Sequence, residues 1–387
     1  MKLTALALSC SFCLTLAFPS PDPSNFAPAD PTRFKICQEY NIPLNITAEI
    51  TVPTAEYTPF QNNLDVAAWL FNLARRDSKT AFVPLAGSKN VTHSYNISGT
   101  ICSPLTPTNN QTTIILATHG LGFDRRYWDI RKNPANYSFV DSAISSGYSV
   151  FFYDRLGTGK STKVSGYDGA HANIQLAILK QLSILLREGK YTGSLGKPAK
   201  LAHLGHSFGS FLSNALISDS PELSDAALLT GLGYDMSGMA PSIEALALRI
   251  ANRQSKFKAL DNEYLGAIDS PAFAQFFLHA GYYDVALLNL AFQLAQPLAA
   301  VEYLTLATLQ LSSPDFTGPV MVMDGENDFP LCGGNCVGTL GPAQTLYPNA
   351  TDLQTVLHPN VGHGINYSLN ATAAYNVLLD YLHKHGI

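Results

Sequence analysis

Ser207 sits in Gly205-His206-Ser207-Phe208-Gly209, with the strand-like run Lys200 to Leu204 before it and the helix-like run Phe211 to Ile217 after it. G-x-S-x-G between a strand and a helix presents a serine hydroxyl at the tip of a sharp turn, because a side chain at either glycine would collide with neighbouring backbone. The first N–H groups of the following helix and its positive dipole end suit the negative charge that develops in acyl transfer. A serine hydroxyl is a weak nucleophile until a base takes its proton and an anionic partner orients that base. The chain offers both downstream, in the order Ser, Asp, His. Asp328 follows Asp324-Gly325-Glu326-Asn327, and His363 lies in Asn360-Val361-Gly362-His363-Gly364. Asp235, Asp324 and Glu326 compete for the acid role, and His358, His383 and His385 for the base. Because His363 is flanked by glycines in a loop, it is expected to be more exposed than a core histidine. The oxyanion of a tetrahedral intermediate needs two donors. The backbone N–H groups of Phe208 and of Leu121, after His119-Gly120, are the candidates, with His119 either supporting the loop or filling space.

These side chains are far apart in sequence, so a particular architecture has to gather them. From Thr112 onward strand and helix signals alternate, which predicts a mostly parallel sheet covered on both faces. Strands are expected at Thr113–Thr118, Val150–Asp154, Lys200–Leu204, Ala226–Leu232, Val320–Met323 and Leu353–Leu357. Helices are expected at Phe139–Ser146, Ile174–Arg187 and Thr372–His383. In such a sheet the loops at the carboxyl ends of the strands share one edge, where Ser207, Asp328 and His363 would meet. Residues 234–314 break the alternation and read as an inserted, helix-rich cap whose aromatics include Phe273, Phe276, Phe277, Tyr282 and Tyr283. Upstream, residues 44–58 and about 94–102 read as strands, with a helix at Leu64–Ala74 between them. Gly157-Thr158-Gly159-Lys160-Ser161-Thr162 resembles a phosphate loop, but that pattern needs glycine where Asp154 stands, so it reads as a turn.

The chain has 387 residues, 46% hydrophobic and 14% charged, with a net charge of −5. This describes a globular protein without the basic surface that nucleic acid demands. Met1-Lys2, the apolar run Leu3 to Ala17 and the small-residue site Thr15-Leu16-Ala17 read as a secretory signal cleaved near Ala17, too short for a membrane span. A secreted product without stable membrane insertion is therefore expected. Sequons at Asn45, Asn90, Asn96, Asn110, Asn136, Asn349, Asn366 and Asn370 fit that address. Removing the signal leaves Cys37, Cys102, Cys332 and Cys336. The short Cys332-Gly333-Gly334-Asn335-Cys336 spacing argues for one local disulfide beside Asp328, which would stiffen the acid loop, and leaves Cys37 to pair with Cys102. Without a second cysteine pair at ligand spacing, no metal is expected.

The segments THGLGFDRRYWD (118–129), YDRLGTGKST (153–162), GHSFGS (205–210), MDGENDFPLC (323–332) and NVGHG (360–364) together resemble the α/β-hydrolase superfamily, specifically its secreted, fungal-type members with a helical cap after the sixth strand. The resemblance implies an α/β fold with a mostly parallel eight-stranded sheet, helices on both faces and an inserted helical cap. It also implies a Ser207, Asp328, His363 triad acting through a covalent acyl-serine, with no cofactor. Epoxide hydrolases and dehalogenases of this fold carry aspartate at the elbow, so Ser207 speaks against them. The expected organisation is a signal at 1–17, a linker or extension at 18–43, core at 44–233, cap at 234–314 and core again at 315–387. The expected activity is that of a secreted serine hydrolase on a small, apolar carboxylic ester. The alternatives are a peptidase, with Glu244, Asp261, Glu263 and Asp269 as candidate amine contacts, a lactonase or a secondary-metabolite tailoring hydrolase. A non-catalytic binding protein on this fold is the alternative outside enzymes.

Overall fold

The computed structural model describes residues 35–105 and 112–387. The expected signal at 1–17, the linker up to residue 34 and Asn110 lie outside the described residues.

The described residues open with an antiparallel hairpin of β1 (Lys35–Pro53) and β2 (Leu85–Pro104), paired from Lys35 opposite Pro104 to Pro53 opposite Leu85. Residues 35–43 are thus strand, and the linker reading of 18–43 is corrected over them. Pro43 obscured the alternation. It is tolerated because β1 is the edge strand of its sheet, where a missing N–H disrupts no second ladder. Ile42, Leu44 and Ile46 still point inward. Cys37 lies directly opposite Cys102 and is joined to it by a disulfide across a Cα separation of 4.1 Å.

Next in chain order come β3 (Thr113–Thr118), β4 (Ser149–Tyr153), β5 (Lys200–His206) and β6 (Ala226–Thr230). Then follow the short β7 (Arg249–Ile250), β8 (Tyr264–Gly266) and β9 (Leu298–Ala299), and finally β10 (Val320–Gly325) and β11 (Leu353–His358). Eight of these form one sheet in the order β1-β2-β4-β3-β5-β6-β10-β11, parallel from β4 through β11, with the hairpin antiparallel at one edge. Parallel neighbours require crossovers, which helices Phe139–Ser145, Ala172–Arg187 and Phe208–Asp219 provide.

Every residue of β3, β4 and β10 is buried, as continuous apolar runs covered on both faces should be. Successive residues feed opposite cores. Ile115, Ala117, Val150 and Phe152 pack toward helices Phe139–Ser145 and Ala371–Lys384. Ile114, Leu116, Phe151 and Tyr153 pack toward helices Ala172–Arg187 and Phe208–Asp219. On helix Ala172–Arg187 the buried positions Ile178, Leu179, Leu182 and Leu186 recur at helical spacing, so one stripe meets the sheet.

Residues 231–319 interrupt the sheet between β6 and β10. They contain helices Met239–Ala245, Ser270–Phe277, Val285–Leu294 and Ala300–Thr305, and also a small antiparallel sheet in the order β7-β8-β9. The helix-like reading of this stretch therefore missed three strands. With two or three residues each, they are too short to carry an alternating signal.

Asn45, Asn90, Asn96, Asn136 and Asn349 have exposed side chains, and Asn370 is half-buried. Asn366 is a correction. It is 3% exposed and its Nδ2 donates to the Tyr127 carbonyl at 2.9 Å, so the amide that a glycan would occupy is committed to the interior.

Candidate active site

Ser207 is the single residue between β5 and helix Phe208–Asp219, and its backbone is left-handed, at φ 53°, ψ −123°. For a residue with a Cβ this conformation costs on the order of 1–3 kcal/mol and persists only where the surroundings impose it. They do so here through hydrogen bonds from Ser207 N–H to Thr230 O at 2.9 Å and from Ser210 N–H to Ser207 O at 2.7 Å. The glycines are sterically required. A Cβ at Gly205 would fall 2.4 Å from Ser210 Cα, and one at Gly209 would fall 2.0 Å from Thr118 O.

The sheet brings the three expected side chains together. Ser207 Oγ lies 2.8 Å from His363 Nε2, and His363 Nδ1 is hydrogen-bonded to Asp328 Oδ2. With Nδ1 carrying the proton toward the carboxylate, Nε2 accepts from the serine hydroxyl. Asp328 Oδ1 accepts from Leu331 N–H at 2.9 Å. The acid loop is closed by hydrogen bonds from Asn327 N–H to Val361 O and from Glu326 N–H to His358 O, both 2.9 Å, and by the Cys332–Cys336 disulfide.

His363 is 2% exposed, which corrects the expectation of an open loop histidine. Phe276 and Phe277 from the inserted segment pack on its ring at 5.7 and 5.9 Å, and Gly364 N–H donates to Phe277 O at 2.5 Å. Gly362 permits that approach, since a Cβ there would lie 2.8 Å from His279 N. Burial pushes the imidazole down to about 4, which leaves it a neutral base. Burial pushes the Asp328 carboxyl up to about 7, while hydrogen bonds from Asp324 and Leu331 N–H oppose that push.

The rival residues are engaged elsewhere, with one exception. Asp235 is exposed and accepts from Ser237 N–H, and Glu326 accepts from Asn360 N–H at 3.3 Å. His358 bonds Asn370 O, His383 bonds Ser146 O and His385 bonds Asp352. The exception is Asp324, which is fully buried beside Asp328 and His363.

The candidate oxyanion donors Leu121 and Phe208 line the same cavity as Ser207, and among the described residues neither backbone N–H has an acceptor. His119 is the support of this loop. Its Nδ1–H donates to Gly120 O at 2.9 Å and its Nε2 accepts from Arg155 N–H at 3.1 Å. Arg155 itself was missed as a site residue. It is buried with its guanidinium 4.6 Å over the Phe208 ring and donates to Gly120 O at 3.2 Å, and to Gln175 and Glu302 at 2.5 Å each. The available signal was an arginine two residues after a buried strand, but its partner Glu302 is 147 residues away. His206 was missed too. It stacks on Tyr127 with centroids 4.5 Å apart and lies 5.2 Å from the His363 ring. The loop resembling a phosphate site is filled from within, since Asp154 accepts from Lys160 N–H at 2.8 Å and Arg125 N–H at 3.0 Å.

Ser207 and His363 open onto a cavity with mostly apolar walls. Leu121, Phe208 and Phe211 form its core side, and Leu246, Phe273 and Phe292 belong to the inserted segment. None of Glu244, Asp261, Glu263 or Asp269 lines it. Asp261 and Glu263 accept from Gly166 and Phe60 N–H, Asp269 caps helix Ser270–Phe277, and Glu244 is exposed.

Among proteins of curated function, none matches the chain in sequence. Among solved structures, an enol-lactonase from Burkholderia xenovorans LB400 is 16% identical, with a TM-score of 0.51 over 75% of this chain and 97% of that one. Est1E from Butyrivibrio proteoclasticus, solved with ferulic acid bound, is 13% identical, with a TM-score of 0.46 over 75% and 96%. A thermophilic esterase from Thermogutta terrifontis is 14% identical, with a TM-score of 0.48 over 75% and 95%. At these identities the likeness concerns the fold alone. A sequence model of the alpha/beta hydrolase family matches residues 114–375, a span that holds the elbow serine, the acid and the histidine, and the chain belongs to that family.

Proposed function

We propose that this hydrolase is a secreted serine esterase that cleaves small carboxylic esters with an apolar acyl or alcohol portion through an acyl-serine intermediate. The observation that carries the reading is the hydrogen-bonded chain from Ser207 through His363 to Asp328 at the wall of an apolar cavity. Ser207 Oγ attacks the ester carbonyl as His363 Nε2 takes its proton, and Asp328 holds the imidazole in the required tautomer and stabilises the imidazolium. The N–H groups of Leu121 and Phe208 receive the oxyanion. Collapse expels the alcohol, which takes the proton from His363. Water then repeats the sequence on the acyl-serine and regenerates the hydroxyl. The inserted segment acts as a cap that supplies apolar wall and shields the imidazole. The peptidase reading lacks support, because no carboxylate among its four candidates faces the cavity. Secretion is supported by two disulfides and exposed sequons.

The test is labelling with a fluorophosphonate probe, followed by turnover of a p-nitrophenyl ester series. Labelling that maps to Ser207, with both labelling and turnover lost in Ser207→Ala, is the expected result. Ester turnover that persists in Ser207→Ala overturns the mechanism.

A further inference from the structure

Asp324 is the last side chain of β10 before its terminal glycine and has no part in the mechanism above, yet it is wholly buried behind Asp328. Oxygen atoms of Asp324 and Asp328 and a nitrogen of His363 all lie within 4.8 Å of one another. Two carboxylates this close in a dry site cannot both ionise without a cation between them. Among the described residues no Lys or Arg pairs with either, and His363 is the only ionisable nitrogen paired with Asp328.

The donor inventory says where the proton sits. Asp328 accepts from His363 Nδ1 and Leu331 N–H. Asp324 Oδ1 accepts from Gly325 N–H at 2.9 Å, while among the described residues Oδ2 has no N–H or O–H donor and lies 3.6 Å from the Cys336 sulfur, which is in a disulfide and has no proton to give. As an anion Asp324 would leave a charged oxygen without a donor; as an acid the group carries a proton of its own, with the Asp328 carboxylate as the neighbouring acceptor.

Resting on the esterase reading for its kinetic consequence, we propose that Asp324 is a positioning residue, a neutral carboxylic acid whose O–H donates to Asp328 and fixes the carboxylate that orients His363. Burial, and then the adjacent Asp328, push the Asp324 carboxyl well above the usual range, in agreement with that assignment. The other titratable groups nearby are His363, His206 at the end of β5, Tyr127 stacked on His206, and Glu326, which accepts from Asn360 N–H.

The test compares Asp324→Asn, which retains a neutral donor, with Asp324→Leu, which does not. Asp324→Leu lowers kcat roughly tenfold or more and moves the acid limb of the kcat profile to higher pH, because Asp328 loses a hydrogen bond to its ionised form. Asp324→Asn restores kcat to within about threefold of wild type and returns the limb to its original position. If Asp324 were an anion, removing its charge would move the limb to lower pH in both variants, and that result overturns the proposal. A readout independent of activity is the infrared difference between wild type and Asp324→Asn at neutral pH. A protonated-carboxyl carbonyl band lost in the variant is expected, and a carboxylate band lost instead overturns the assignment even if the Leu variant does not fold. Absence of fluorophosphonate labelling in wild type would sink the esterase reading while leaving the infrared result to decide the protonation of Asp324.

Discussion

The hydroxyl of Ser207 is placed by a backbone conformation that the residue itself disfavours, so the site stores strain in the folded state. A consequence separates the two simplest replacements. Ser207→Gly relieves the positive φ and Ser207→Ala does not, so the glycine variant is expected to be the more stable by about 1 kcal/mol, even though glycine also gains entropy in the unfolded chain. Both lose ester turnover by roughly a thousandfold or more. Denaturant unfolding of the pair checks this, and an alanine variant at least as stable as the glycine one refutes the strain argument. The acid pair gives a second prediction, in the pH dependence of stability. Asp324 has a folded pKa above its unfolded value, so its contribution is fully present below the usual carboxylate pKa and is lost as pH rises toward the folded one. Asp324→Asn removes that loss, and its stability relative to wild type is expected to rise between pH 4 and pH 8 on denaturant unfolding. A flat difference would mean that burial does not raise this carboxyl.

Each reacting group is held by an element that answers to another. Gly120 O receives hydrogen bonds from both His119 and Arg155, and Arg155 in turn reaches Gln175 in helix Ala172–Arg187 and Glu302 in the inserted segment. A buried ion pair of this kind is weak evidence for stability, but breaking one partner is costly. Glu302→Gln is therefore expected to destabilise the fold by about 3–5 kcal/mol, and Arg155→Met combined with Glu302→Leu to recover most of that loss. The double variant still lacks the donor to Gly120 O, so its kcat should fall roughly tenfold while its stability does not. Recovery of both together would show that Arg155 has no role in setting the oxyanion loop. The acid loop offers a parallel case. Closing a ring as short as Cys332–Cys336 contributes only about 2 kcal/mol in the chain-entropy account, so replacing both cysteines by alanine should cost more in activity than in stability.

What was legible in the sequence follows from how local the signal is. The buried parallel strands are continuous apolar runs, and Thr113–Thr118 falls where the pattern places it. The meeting of Ser207, Asp328 and His363 could be read because glycines and strand ends mark them. The part of β1 before residue 44 was hidden by Pro43, whose edge position only the sheet order reveals. The burial of His363 comes from Phe276 and Phe277, and the Arg155–Glu302 contact joins segments far apart in sequence; neither leaves a local periodicity to read.

At the scale of the whole molecule, the sheet edge supplies the chemistry and the inserted segment supplies the apolar wall, so substrate preference belongs to the space between them. The cavity offers Phe and Leu side chains from both sides and few polar groups, among them Gln254, Lys256 and Gln296. Each methylene of an acyl chain that moves from water into such a site gains about 0.8 kcal/mol, which is roughly fourfold in kcat/KM while the chain still finds room. A p-nitrophenyl ester series is therefore expected to climb at about that rate from acetate and then level off when the cavity is full. Ala267 lines the cavity on the inserted side, directly after β8. Ala267→Phe removes space without touching Ser207, His363 or Asp328, so it should lower the ratio of long-chain to acetate turnover and bring the plateau to a shorter chain. A uniform loss across the series would place Ala267 against the reacting carbonyl instead. An unchanged plateau would mean that the acyl chain leaves the cavity by another route and that the inserted segment does not set its length.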